Sequence, residues 1–124
     1  MRCVGYDFDV NTVAYYDVAV AKKETQDEAE DFAFMAVDHI FDKESSVKVI
    51  REDIEEVSRE KYFDYVQIKF ELLINVTTHT HADARIEAED IVRQCPVPVG
   101  VKLYECEAYD SERDPDMQWD EEGY

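Results

Sequence analysis

The sequence predicts an α+β domain of ferredoxin-like type: element order βαββαβ, an antiparallel sheet with two helices on one face, and an acidic C-terminal tail. Three observations predict it. Two segments open on a Thr cap and continue as one apolar stripe at helical spacing. Several other segments alternate apolar and polar residues, as half-buried strands do. The strand–helix–strand pattern also occurs twice, so residues 10–57 and 61–109 read as two βαβ-like halves of a single domain spanning 1–109.

Residues 13–21 begin the first half, where Tyr15, Tyr16, Val18 and Val20 suit a pleated surface. Thr25-Gln26-Asp27-Glu28 then reads as a capping box, the Thr hydroxyl serving an orphan helix N–H and Glu28 reaching back. Ala29, Phe32, Ala33, Ala36, Val37, Ile40 and Phe41 follow at 3-4 spacing, which predicts a helix over 26–42. Residues 46–60 are ambiguous. Val47, Ile50, Ile54 and Val57 fit a helical stripe, and Lys48–Glu52, Arg51–Glu55 and Glu55–Arg59 would be its ion pairs. The repeat favours a strand, with residues 58–61 turning into the next one. Over 62–77, Val66, Ile68, Phe70, Leu72, Ile74 and Val76 share one parity, and Gln67, Lys69, Glu71 and Asn75 the other. Thr80 opens the second helix, striped by Ala84, Ala88, Ile91, Val92 and Cys95 and stopped by Pro96 and Pro98. Residues 99–108 alternate as a last strand, and residues 110–124 form an acidic tail expected to be flexible.

Charge dominates the composition. The 124 residues hold 31 Asp and Glu against 13 Lys and Arg, a formal net charge of −18. Such a field repels nucleic acid and anionic membranes and attracts basic surfaces. No apolar run approaches a membrane span and no secretory leader is legible, so a cytoplasmic location is expected. Cys3, Cys95 and Cys106 are odd in number and widely spaced, which suits free thiols. No cofactor is expected. Asp7-Phe8-Asp9-Val10-Asn11 starts like a calcium loop but has Thr12 and Val18 where Gly and Glu are needed, leaving a solvated N-terminal segment. His79 and His81 lack further ligands, so no metal is expected. Three glycines cannot build a phosphate loop, and no nucleophile–base pattern stands out, so the chain is read as a non-enzyme.

Each half resembles the small βαβ modules of phage and plasmid proteins of the DpnD/PcfM-like type. The likeness lies in VAVAKKETQDEAEDFAFMAVDHIF followed by VKVIREDIEEV, and in FELLINVTTHTHADARIEAEDIV followed by VGVKLYECEA. It implies a mobile-element origin and carries no catalytic motif. By charge profile the chain is also similar to acidic phage inhibitors of host defence, the anti-CRISPR and anti-restriction type.

The acids fall into rows. Asp27, Asp31, Asp38 and Asp42 lie opposite the first helix's apolar stripe, flanked by Glu24 and Glu28. Glu52, Asp53, Glu55 and Glu56 form a second row, and Asp114, Asp116 and Asp120 belong to a third in the tail. Phe34, with Met35, is expected as an apolar anchor beside the first row. Acids beside aromatics, as in Tyr16-Asp17 and Asp64-Tyr65, suit a surface that meets arginine. The expected partner is a basic nucleic-acid-binding protein or complex of the host, bound by a monomer or homodimer that itself touches neither nucleic acid nor membrane. An immunity protein or antitoxin against a basic nuclease, and an ordinary domain of a halophile, are the alternatives.

Overall fold

A computed structural model describes residues 5–113. Its elements are β1 (Tyr6–Ala21), α1 (Gln26–Val37), β2 (Val47–Arg59), β3 (Phe63–Thr78), α2 (His81–Gln94) and β4 (Val101–Arg113). The four strands form one antiparallel sheet in the order β2-β3-β1-β4. In broad terms this α+β architecture is ferredoxin-like. The domain runs past the expected boundary, because residues 110–113 belong to β4, with Arg113 opposite Phe8. Asp114, Asp116 and Asp120 lie outside the described residues.

The two central strands carry the core. Val10, Ala14, Tyr16 and Val18 of β1 and Val66, Ile68, Phe70, Leu72 and Ile74 of β3 point to one face and are buried. Each such aliphatic or aromatic side chain contributes about 1.5–3 kcal/mol when fully enclosed. Tyr16, Phe41 and Phe70 meet edge-on, with ring centroids 5.4–6.2 Å apart, an arrangement favoured by the aromatic quadrupole. Because β1 starts at Tyr6, the segment Asp7–Asn11 is a strand, not a solvated segment. Asp7 is buried and accepts a hydrogen bond of 2.6 Å from the Thr77 hydroxyl.

Both helices lie on the core face and press small residues against it. Ala29, Ala33 and Val37 are the buried positions of α1, and Ala84, Ala88 and Val92 those of α2. Thr25 and Thr80 cap them by accepting from the N–H groups of Glu28 and Asp83. Each of these residue pairs is 55 positions apart. α1 ends five residues before the expected position. From Asp38 the chain makes tighter i→i+3 bonds, Ile40 N–H to Val37 and Asp42 N–H to His39, which fold Ile40 and Phe41 back onto the core.

The edge strands repeat each other more closely than their sequences suggest. Register shifts in β2 leave Ile50 and Glu55 without cross-strand partners, and shifts in β4 do the same for Tyr104 and Tyr109. Both strands are 13 residues long, and the extra residue is the fourth and the ninth in each. All four bulged residues are exposed. Bulges of this kind twist an edge and discourage further pairing. They also explain the helical spacing read over 46–60. Helix-side positions in β2 fall at 47, 49, 52, 54, 57 and 59, and an interrupted strand period resembles a 3-4 repeat. The helical ion pairs expected there do not form; Arg51 pairs with Asp53 at 2.7 Å instead.

Candidate functional site

The acidic surface is built from side chains that the fold leaves outward while it uses cations internally. Lys22 and Arg59 both bind the fully buried Asp64, at 3.1 and 3.0 Å. Asp64 also accepts the Lys23 N–H at 3.1 Å. The Arg59 guanidinium, with the Lys23 N–H and Lys22 behind it, holds the Asp64 carboxyl well below the usual carboxylate range. Arg59 further donates to the Lys23 carbonyl, tying the β1–α1 loop to the β2–β3 hairpin. The Lys23 ammonium sits 3.7 Å from the Phe32 ring centroid, and Lys61 and Arg113 cover Tyr62 and Tyr6. Arg93 is drawn to Glu89 and Asp90, Arg51 to Asp53, and Arg85 to the Ser111 hydroxyl. Among the described residues, eight cationic side chains are therefore engaged within the domain.

On α1 the expected row is exposed. Glu24, Asp27, Asp31 and Asp38 all face solvent. Glu28 is exposed but serves the cap, accepting the Thr25 N–H at 3.2 Å. Asp42 lies past the helix end and binds His39 Nδ1 at 2.6 Å. That bond, followed by the charges of Asp42 and Asp38, raises the His39 pKa above its ordinary value. Asp38 caps α1, its N–H donating to the Met35 carbonyl, and no basic residue occupies the last turn. The helix's partial negative charge there is uncompensated by its own sequence.

The second expected row is not a row. The bulges place Glu52 on the helix side of the sheet, Asp53 and Glu56 on the open face, and Glu55 at the outer edge. Glu52 is half-buried, and burial first, then the charge of Asp38, raises its carboxyl pKa. Asp38 of the first row thus lies near enough to Glu52 of the second for its charge to be felt there. Phe34 is also corrected: it packs against the core, whereas Phe32, expected inside, is 51% exposed under Lys23. Met35 is open to solvent as expected, at 67%. Asp64 is no surface acid beside Tyr65, since the arginine it meets is the domain's own.

One acidic row escaped sequence reading. Glu105, Glu107, Asp110 and Glu112 of β4 stand opposite Tyr15, Val13, Asn11 and Asp9 of β1, on the face of the sheet that carries no helix. The signal was present as strand alternation in β4, but the bulges at Tyr104 and Tyr109 break its parity.

Cys3 lies outside the described residues, which hold two thiols and one fully enclosed phenol. Cys95 and Cys106 are free and half-buried; burial pushes the Cys106 thiol up to about 11, with Glu89 adding to it and Arg93 opposing. Tyr16 is enclosed by the core, and its hydroxyl has no hydrogen-bond partner among the described residues. His81 opens α2, its Nδ1 2.8 Å from the Ser111 hydroxyl and its ring edge-on to Phe8. Among the described residues no cluster of three or more His, Cys, Asp or Glu is arranged to hold a metal ion, and no helix is long and apolar enough to cross a membrane. No protein-family model matches the chain, and no curated protein or solved structure is significantly similar to it.

Proposed function

We propose that this chain is a phage- or plasmid-encoded inhibitor of a host defence nuclease complex, of anti-CRISPR or anti-restriction type. It acts in the host cytoplasm as an acidic mimic of nucleic acid and blocks a basic DNA- or RNA-binding groove without turnover. A ferredoxin-like βαββαβ scaffold, built from two halves of mobile-element type, holds its carboxylates in fixed positions. The observation that carries the reading is the outward acidic row of Asp27, Asp31 and Asp38 on α1, in a domain that engages most of its own cations internally. Carboxylates one helical turn apart are separated by about 6 Å along the axis, against one duplex charge per ~1.7 Å. Several surfaces must therefore contribute, and β2 and β4 supply further acids. Electrostatic steering makes such binding fast and sensitive to salt.

The test is affinity capture. The full chain is immobilised and exposed to lysate from bacteria carrying CRISPR and restriction systems, then eluted with a salt gradient or competing duplex DNA. Capture of a nucleic-acid-handling complex that DNA displaces supports the proposal. Retention of nothing basic at low salt overturns it.

A further inference from the structure

Both helices are short for the strands beneath them. Twelve residues of helix span about 18 Å, whereas sixteen residues of strand span about 53 Å. The C-terminal ends of α1 and α2 consequently stop over the sheet, and each is followed by an irregular segment. Between those segments lies an open groove of about 360 Å³. Its walls are Met35, Ala36, His39 and Ile40 at the end of α1, and Pro96 and Pro98 after α2. The prolines lack N–H donors and hold the second wall extended, so both walls present mainly carbon. Val97 and Val99 extend the apolar surface beside it, Val99 being fully exposed.

The rim has the opposite character. Asp38 and Asp42 flank His39 just past the end of α1, and Glu44 lies near Cys95, next to Pro96, whose thiol pKa is raised by burial first and then by that charge. The C-terminal end of α1 borders the same opening with no basic residue in its last turn and adds partial negative charge, whereas Arg93 offsets that of α2. An apolar cleft with Asp38, Asp42 and Glu44 beside it favours an apolar side chain flanked by cations. It disfavours a second copy of this chain, because each copy carries the same −18 and the same acidic rim.

We infer that this groove is the anchoring pocket of the partner interface, and that its occupant is one large apolar side chain projecting from an arginine- or lysine-rich segment of the partner. The inference rests on the acidic-mimic reading and gives that interface a centre. Contacts to surrounding acids orient the segment and exclude water, while the buried side chain limits dissociation. The groove is also continuous with the Asp31–Asp38 row, since Met35 lies on the same helix between those two acids.

Two synthetic peptides separate this proposal from the reading it rests on. Both are arginine-rich helices of equal length and charge; one carries a central Trp and the other Ala. Binding to the full chain is measured by fluorescence anisotropy at low and at physiological salt. The Trp peptide is expected to bind about tenfold tighter. That advantage should disappear in Met35→Gln combined with Pro98→Ser, while salt-dependent binding of the Ala peptide persists. The Met35 methyl resonance of the parent chain, which needs no variant, should shift only with the Trp peptide. Equal affinities with an unshifted Met35 methyl overturn the groove proposal and leave the acidic reading standing. Failure of both peptides to bind at low salt overturns both. A concentration-dependent dimer that shifts the Met35 methyl without peptide assigns the groove to a second copy and also overturns the proposal.

Discussion

Replacing Tyr16 with Phe should stabilise the domain. The Tyr16 side chain is completely enclosed, and its ring packs edge-on against Phe41 and Phe70 at 6.2 and 5.5 Å. A Phe ring keeps those contacts. What it removes is a hydroxyl with no partner, and an unmade hydrogen bond of a buried polar group costs about 1–3 kcal/mol. Against this stands the loss of a few dispersion contacts, each worth about 0.1–0.2 kcal/mol. The balance is a gain of about 1 kcal/mol, or a midpoint rise of about 4 °C for a domain of this size. Thermal unfolding by calorimetry, with urea unfolding as a check, measures both quantities. A pH series adds a second readout. Burial first, then the charges of Cys95 and Cys106, raises the Tyr16 phenol above its ordinary pKa near 10. Its share of stability is therefore fully present below pH 10 and is lost as the pH rises toward the folded pKa. The Phe variant should lose less stability above pH 10 than the parent. A destabilisation of 1 kcal/mol or more would refute the reasoning, because it would mean the hydroxyl is bonded to a thiol or an enclosed water.

Other perturbations probe the elements that hold the acidic surface. Thr25→Ala and Thr80→Ala should each destabilise by about 1 kcal/mol in urea unfolding, since each hydroxyl accepts a helix N–H bond. Asp64→Asn should lower the unfolding midpoint at neutral pH, because Lys22 and Arg59 lose their shared carboxylate. The folded carboxyl of Asp64 titrates below its unfolded value, so its stabilisation is present above the ordinary Asp pKa and lost as pH falls through the folded one. The gap between parent and variant should therefore hold steady above about pH 5 and close in stronger acid. In NMR titration His39 should titrate above its ordinary value and return toward it in Asp42→Asn. Stability linked to His39 is present below the unfolded pKa and lost as pH rises through the folded one.

The central elements were legible because their periods are uninterrupted. In β3 every second residue from Val66 to Val76 is buried, and the Thr caps and Ala stripes of both helices stand where the spacing put them. The edges were obscured by the bulges. A bulge advances the side-chain period by one, so the four acids within the five residues 52–56 divide between two faces and an edge. Adjacency of acid and aromatic misled for a related reason. In Phe8-Asp9 and Tyr16-Asp17 the aromatic belongs to the core and the acid to the other face, as strand alternation dictates. Phe32 and Phe34 exchanged their expected places because the Ala29–Ala33–Val37 stripe is narrow, leaving both rings on its flanks. Long-range partners such as Lys22 for Asp64 leave no trace in local spacing, since 42 positions separate them.

The central claim is that carboxylates on α1 make the contact with a basic partner. It is tested most directly by titrating the DNA-displaceable partner against the parent chain and against Asp27→Asn, Asp31→Asn and Asp38→Asn combined, over a range of NaCl concentrations. The account predicts an unchanged fold by circular dichroism, affinity weaker by about tenfold at low salt, and a shallower salt dependence. Unchanged affinity and salt dependence in the folded triple variant would contradict it.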